Sequence, residues 1–234
     1  MNRRIAWAAA GLLCITAALW PVKTRFGVNY QWSSRTITLF EKTVHFISRD
    51  LQTRRLVAEL LRGAGPGSDG RLSRLFNWTV RHVQPVPPGF PVMDDHVLHI
   101  IIRGYGAPDQ QTEAFALLAS YAGFPAAAAT LKAPEGPGGI LVAVVRAKDR
   151  TWLFDVNRGF VFRTPQGTLA DVTELLKHPQ WVAETTGGLA VEGWPYERYV
   201  EGLRDLRTTF SRMEAQKLWP RLWQEVLGRF GVKS

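Results

Sequence analysis

The sequence predicts a mixed α+β fold in which helices pack on an antiparallel sheet. Three observations lead to this class: helical spacing of apolar residues up to residue 122, short apolar or alternating runs between 126 and 163, and helical spacing again after residue 168. Because turn residues rather than helices separate the short runs, neighbouring strands should be antiparallel. The 234 residues are enough for one domain of about 200 residues behind an N-terminal segment.

Three helices are predicted ahead of the sheet. The segments 36–62 and 71–83 carry apolar residues every three or four positions, and a Gly/Pro/Ser-rich break at 63–70 separates them. Four prolines within 84–92 exclude regular structure there. The third helix, over 109–122, has the same spacing and is followed by a glycine, which favours helix termination.

The sheet and the C-terminal helices follow. Short apolar runs between turns are typical of strands in a meander. Four such strands are predicted at 126–131, 140–147, 151–156 and 160–163. Helical spacing then predicts a helical extension over 169–234, with helices at 169–177, 196–210 and 214–230.

The first 22 residues are interpreted as a signal anchor with a transmembrane helix. Arg3 and Arg4 precede 18 uncharged residues, which is near the lower limit for a membrane-spanning helix. A cleaved signal peptide and a buried helix are the alternatives, but Leu19-Trp20-Pro21 lacks the small residues of a cleavage site. Since positive charge stays inside, residues 23–234 are expected to form a single soluble domain outside the cytoplasm.

Composition excludes several classes of protein. The only cysteine is Cys14, which excludes a disulfide scaffold, a thiolate zinc site and a cysteine nucleophile within 23–234. No cofactor is predicted, and no nucleic-acid-binding motif is present. The formal net charge of +9 suits anionic lipid headgroups or an acidic polymer. Three tryptophans are interpreted as core residues: Trp78, Trp152 and Trp181.

The centre of the chain carries the most specific pattern. It reads RGYGAPDQQTEAFALLASYAGFPAAAATL from residue 103 and GGILVAVVRAKDRTWLFDV from residue 138. Over about residues 70–165 the chain resembles the transglutaminase-like family, which has a papain-like core. The resemblance implies a cysteine at the N-terminus of a helix, a histidine on a following strand and an aspartate after a Trp-containing strand. Such a thiolate, base and carboxylate act together in acyl transfer.

Two of these three catalytic positions are changed. When the helix and its Gly-Phe-Pro-Ala exit are aligned, the cysteine falls on Pro108, the histidine on or near Gly139 and the aspartate on Asp155. The resemblance therefore implies a catalytically degenerate member, a pseudoenzyme. The segment DDHVLHIIIRGYGAPDQQ also resembles membrane-anchored transglutaminase-like proteins of bacterial envelope and exopolysaccharide systems. That second resemblance implies a single-pass protein of the bacterial inner membrane, with its domain facing the periplasm or exterior.

Several side chains have both a functional and a structural interpretation. Asp109 is either a substitute acid or the N-cap of its helix, and Asp155 is either a remnant of the triad or a turn residue. Four possible metal ligands fit no established spacing, so no metal site is predicted. These are Asp94, Asp95, His96 and His99. The candidates for ligand binding are Arg103, Tyr105, Asp109, Gln110, Asp155 and Arg158.

The sequence thus predicts a non-catalytic, membrane-anchored transglutaminase-like domain that binds or scaffolds in cell-envelope polysaccharide assembly. Its expected partners are the membrane, through the N-terminal helix, and envelope proteins or an acidic polysaccharide, but not nucleic acid. The alternative is an acyl- or glycan-modifying enzyme with relocated catalytic residues, Asp109, Asp155 and His96 or His99. Such an enzyme needs a carboxylate and a histidine within about 3 Å of each other in a concave pocket.

Overall fold

The computed structural model describes residues 3–94, 96–133, 135, 136, 138–205, 213, 217–220 and 223. Within these residues the chain has a mixed α+β fold with several small sheets, most of them antiparallel. The α+β class therefore agrees with the sequence-based prediction, whereas the predicted N-terminal transmembrane helix does not.

The N-terminal region forms a helix, a hairpin and a longer helix. These elements are α1 (Arg3–Ala18), β1 (Pro21–Val28), β2 (Gln31–Thr38) and α2 (Leu39–Leu60). The hairpin turns at Asn29 and Tyr30, whose φ angles are positive, 49° and 65°. Two consecutive left-handed residues are typical of the type I′ turn, which fits the twist of a two-residue hairpin.

The prediction of a signal anchor over residues 1–22 is wrong, and so is the single-pass inner-membrane location that it implies. No helix within the described part of the chain has both the length and the apolar character to cross a bilayer. α1 has 16 residues, or about 24 Å of helix, against a hydrocarbon core of about 30 Å. The uncharged run does not stay helical, because Pro21 and Val22 belong to β1 and pair with Thr38 and Ile37.

α2 begins at a capping box rather than at residue 36. Glu41 N donates to Thr38 Oγ1 at 3.1 Å, and Thr38 N donates to Glu41 Oε2 at 2.8 Å. These bonds satisfy backbone donors that a helix start leaves open. The helix starts three residues later than predicted because 36–38 pair with β1.

The next elements surround a central helix, α5. They are α3 (Ser68–His82), β3 (Gln84–Pro85), β4 (Met93–Asp94), α4 (Val97–Arg103), β5 (Tyr105–Gly106) and α5 (Pro108–Tyr121). β4 pairs antiparallel with β1, and β3 pairs parallel with β5. The sequence does not predict α4, because seven residues are too few to display helical periodicity.

A buried carboxylate on α2 joins three parts of the chain. Arg54 Nε donates to Asp50 Oδ2 at 2.6 Å, and Tyr121 Oη of α5 donates to Asp50 Oδ1 at 2.9 Å. Leu218 N donates to Asp50 Oδ1 at 3.3 Å. Burial alone would raise the pKa of Asp50, but these hydrogen bonds hold the pKa below its usual value.

The main sheet is a four-stranded antiparallel meander in chain order. Its strands are β6 (Ala126–Lys132), β7 (Gly139–Ala147), β8 (Arg150–Asp155) and β9 (Phe160–Val161). Ala126 pairs with Val145, and Ala143 pairs with Phe154. The strand bounds lie within two residues of the predicted ones, because turn residues mark each connection.

The main sheet separates two hydrophobic clusters. Side chains alternate along β8, so Trp152 and Phe154 face α5, where the Phe154 ring lies 4.8 Å from that of Phe115. Leu153 faces the other way, into a cluster that contains Tyr196. α5 therefore covers one face of the sheet and the C-terminal helices cover the other.

The C-terminal elements are short. They are α6 (Val172–Lys177), α7 (Pro179–Thr186), β10 (Ala190–Val191), β11 (Trp194–Pro195), α8 (Tyr196–Glu201) and a 3-10 helix (Gly202–Asp205). α8 and the 3-10 helix correspond to the first part of the helix predicted over 196–210. The rest of that helix, and most of the helix predicted over 214–230, lie outside the described residues.

Candidate functional site

The first turn of α5 is tied to β4. Pro108, at the cysteine position that the resemblance implies, is the first residue of the helix. Gln110 is buried, with its Oε1 accepting from Ala107 N at 3.1 Å and its Nε2 donating to Met93 O at 2.7 Å. Asp109 is exposed in the same turn, and its charge favours the positive end of the helix dipole. Ala107, not Asp109, is the N-cap.

The start of α5 lies beside the end of β8 and the start of β7. Asn157 Nδ2 donates to Thr112 Oγ1 at 3.2 Å and to Leu141 O at 3.4 Å. The Thr112 hydroxyl donates to Pro108 O at 2.9 Å and is fully buried. The resemblance implies that the catalytic groups meet at these helix and strand ends. The groups joined by these contacts are an amide, a hydroxyl and two backbone carbonyls.

Asp155 lies on the face of the main sheet opposite to α5. Its carboxylate is fully buried and accepts from Tyr196 Oη at 2.8 Å, from Arg158 N at 3.0 Å and from Arg158 Nη1 at 2.9 Å. Burial, and then the charge of Asp155, raise the pKa of Tyr196 far above its usual value. These bonds fix the turn after β8 and hold α8 on the sheet.

The other predicted binding residues meet at Met93. Arg103 Nη2 donates to Met93 O at 3.3 Å, and Arg103 Nε donates to Tyr105 O at 3.4 Å. The Arg103 guanidinium lies 5.1 Å from the centre of the Tyr105 ring, and Gln110 reaches the same carbonyl of Met93. The structure thus brings Arg103, Tyr105 and Gln110 together. Their contacts bind the backbone of β4 to the first turn of α5 and to the end of α4.

The histidines proposed for relocated chemistry belong to α4. His96 is the N-cap, and its Nδ1 accepts from Leu98 N at 3.1 Å. Its ring lies 6.2 Å from that of His99, measured between centroids. Among the described residues, which omit Asp95, no three His, Cys, Asp or Glu side chains are placed to hold a metal ion.

A groove with a volume of about 570 Å³ runs along the outer face of α3. That volume is within the range of about 300–1,000 Å³ found for ligand pockets. The inner face of the helix is buried through Leu72, Leu75, Phe76 and Thr79. The groove is lined by Leu60, Gly70, Ser73, Arg74, Asn77, Trp78, Arg81 and His82.

The groove is basic and aromatic. Arg74 and Arg81 are exposed, and no described lining residue is acidic. The Trp78 and His82 rings stack with centroids 4.3 Å apart and an angle of 19°. His82 Nε2 lies 3.1 Å from Ile101 O. Because a carbonyl only accepts, Nε2 carries the hydrogen, and the ring is held against α4.

The groove residues were not among the predicted site residues. Trp78 was assigned to the core, and its partly buried side chain both packs against the core and lines the groove. A signal for them exists in the sequence: Arg74, Asn77, Trp78 and Arg81 have the spacing of one helical face. A partly buried tryptophan between two arginines on such a face is typical of a contact surface.

Comparison with known proteins identifies no relative of this chain. No family model matches it, and neither a curated protein nor a solved structure does. The resemblance to the transglutaminase-like family stays a prediction. The function must be inferred from the groove and from the contacts at α5.

Proposed function

We propose that this chain is a non-catalytic, transglutaminase-like binding domain whose α3 groove binds an acidic polysaccharide. The observation that carries the proposal is the lining of the groove. Two exposed arginines, an asparagine and a tryptophan follow one face of α3, without an acidic side chain among the described lining residues.

The lining groups match the parts of a uronic acid oligomer. Guanidinium groups bind carboxylates with two parallel hydrogen bonds, and Arg74 and Arg81 lie about 10 Å apart along the helix axis. They can therefore contact carboxylates on different sugar units. The indole of Trp78 offers an apolar surface to a pyranose ring, while the exposed amide of Asn77 offers partners to sugar hydroxyls.

The contacts at α5 support a non-catalytic role. Pro108 has no nucleophilic atom and no backbone N–H to bind an oxyanion. The hydroxyl of Thr112 is buried and engaged with Pro108 O and Asn157. The Asp155 carboxylate is buried on the other face of the sheet, where Tyr196 binds it.

Binding of a labelled oligogalacturonate, measured by fluorescence anisotropy, tests the groove. We expect Arg74→Gln with Arg81→Gln to weaken binding at least tenfold, because a hydrogen bond to a charged group contributes about 1.5–3 kcal/mol. Wild-type binding should also weaken as the salt concentration rises. The matched control is Lys148→Gln with Lys177→Gln, which removes two exposed charges that do not line the groove.

Equal weakening by the groove variant and the control would contradict the assignment, because bulk charge would then explain binding. Equal affinity for a neutral dextran would contradict the acidic ligand. In amine-incorporation and peptide-hydrolysis assays, we expect the wild-type chain and Pro108→Cys to be inactive. Turnover by the wild-type chain would favour the alternative enzyme with relocated residues.

A further inference from the structure

α2 carries apolar side chains on two separate faces. Its buried face contains Phe46 and Val57. A second row, which we call the outer stripe, has the same helical spacing but is displaced by about 120° around the axis. Its members are between 40% and 62% exposed: Phe40, Val44, Ile47 and Leu51. When a helix buries one apolar face in the core and exposes a second, the exposed face is a candidate site for contact with a membrane or another protein.

Exposed apolar side chains also occur in the α1 region, whose C-terminal end lies beside the start of α2. Leu39 N donates to Trp20 O at 2.8 Å, so the residues after α1 lie beside the first turn of α2. The apolar side chains there are 57% to 78% exposed: Trp7, Leu12, Ile15, Leu19 and Trp20. Together with the outer stripe they form what we call the N-terminal apolar surface.

Basic side chains accompany this surface. The first 49 residues contain seven Lys or Arg residues and a single acidic residue, Glu41, which α2 uses in its capping box. Lys23, Arg25 and Arg35 are exposed on the hairpin, and Lys42 Nζ donates to Lys23 O at 3.1 Å. Most of the net charge of +9 therefore lies in this quarter of the chain.

We propose that the N-terminal apolar surface docks on a lipid bilayer that carries anionic headgroups. The aliphatic and aromatic side chains would lie at the boundary between headgroups and acyl chains, with the basic residues at the lipid phosphates. Trp7 lies near the start of α1 and Trp20 just after its end, and tryptophan favours this boundary. In this arrangement α1 lies in the plane of the membrane interface and does not cross the bilayer.

Charge favours the bilayer over a second copy of the chain. Two copies paired through this surface would bring two strongly basic regions together, which is repulsive. Anionic headgroups neutralise the same charges, and attraction to them grows with each Lys or Arg near the surface. The lipid surface is therefore the occupant that matches both the apolar and the basic residues.

Flotation of the full chain with vesicles tests the proposal. We expect binding to phosphatidylcholine vesicles that contain 30% phosphatidylglycerol, and at least tenfold less binding to pure phosphatidylcholine. The variant Phe40→Gln, Ile47→Gln, Leu51→Gln should lower binding to the anionic vesicles at least tenfold. These side chains are exposed, so the variant should keep the wild-type circular dichroism and Tm. The matched control is Phe90→Gln with Leu189→Gln, two exposed apolar residues elsewhere.

Two further measurements separate the possible outcomes. Lys23→Gln, Arg25→Gln, Arg35→Gln should weaken anionic vesicle binding and reduce its salt dependence, whereas the groove variant Arg74→Gln, Arg81→Gln should leave it unchanged. Equal binding to both vesicle types, or loss in the groove variant, would overturn the proposal. So would an absence of binding to the anionic vesicles. A dimer in analytical ultracentrifugation that the outer-stripe variant dissociates would then make a second copy of the chain the occupant of this surface.

Discussion

At Gly139, β7 lies close to the neighbouring strand β6. A Cβ atom at this position would lie 2.8 Å from Leu131 O and 2.9 Å from Thr130 Cγ2. Both atoms belong to the neighbouring strand, and Gly139 pairs with Lys132 in the ladder. The position to which the resemblance assigns a histidine is therefore one where any side chain forces the two strands apart.

Replacing this glycine tests the close approach. We expect Gly139→Ala to lower the free energy of unfolding by about 1–3 kcal/mol, since overpacking distorts the backbone around it. Urea denaturation followed by circular dichroism measures the change. The matched control is Gly65→Ala, where an added Cβ meets nothing within 4 Å, and stability should stay the same or rise by up to about 1 kcal/mol. Equal urea midpoints for the two variants would show that β6 and β7 accommodate the added Cβ without a loss of stability.

At the scale of elements, α2 is held to α5 by Asp50. The Tyr121 hydroxyl donates to this carboxylate. Burial, and then the hydrogen bond to Asp50, raise the pKa of Tyr121. The pKa of Asp50 is lowered in the folded chain. A carboxylate with a lowered folded-state pKa stabilises the fold above its unfolded pKa of about 4, and this contribution is lost as the pH falls through the folded-state pKa.

The pH dependence of stability checks this link. Between pH 5 and pH 2, the wild-type free energy of unfolding should fall, and in Asp50→Asn the fall should be smaller because the titrating group is gone. Asp149→Asn, at an exposed turn residue, should keep the wild-type dependence. Identical curves for wild type and Asp50→Asn would mean that other carboxylates account for the acid sensitivity.

Elements with a regular spacing of apolar residues were predictable from the sequence. Short elements, and elements defined mainly by their turns, were not. α3, α5 and the main-sheet strands show clear apolar spacing between Gly and Pro breaks. The β1–β2 hairpin was missed because its turn, Asn29-Tyr30, lacks the glycine that usually occupies a left-handed position. The uncharged run before it continues into a strand, so length alone overstated the first helix.

The candidate site was less predictable than the fold. The alignment placed Pro108 and Gly139 on neighbouring helix and strand ends, because those positions follow from the order of elements. The alignment did not show on which face of the sheet the Asp155 side chain lies, because Asp155 is the last residue of β8 and the aligned pattern ends there. The α3 groove needed the structure, because its lining includes Leu60 from α2 as well as α3 residues.

For the whole molecule, Asp155 connects the two sides of the main sheet. It ends a strand whose neighbour Phe154 packs on α5, and it binds Tyr196 of α8 on the other side. Removing the charge of Asp155 should destabilise the C-terminal helices on one face of the main sheet more than α5 on the other face. The reason is that Tyr196 and Arg158 lose a buried charged acceptor, while the Phe154 contacts remain.

Hydrogen exchange can measure this asymmetry. We expect Asp155→Asn to lower the free energy of unfolding by about 1–3 kcal/mol and to increase amide exchange in α6–α8 before it increases in α5. Tyr196→Phe, which removes one hydroxyl and keeps the ring, should cause a smaller change in the same helices. A uniform increase in exchange across both halves would contradict the separate roles of the two clusters.

The order of strands in the main sheet has a consequence for how the chain acquires its structure. β6, β7, β8 and β9 are neighbours in space in the same order as along the chain. Each pairing closes only a short loop, so little chain entropy is lost before contacts form, and such topologies fold quickly. α5 directly precedes β6, so residues 108–161 contain the helix and all four strands. During synthesis, this segment emerges from the ribosome before α6–α8 emerge, so the later helices can add to a sheet that has already formed.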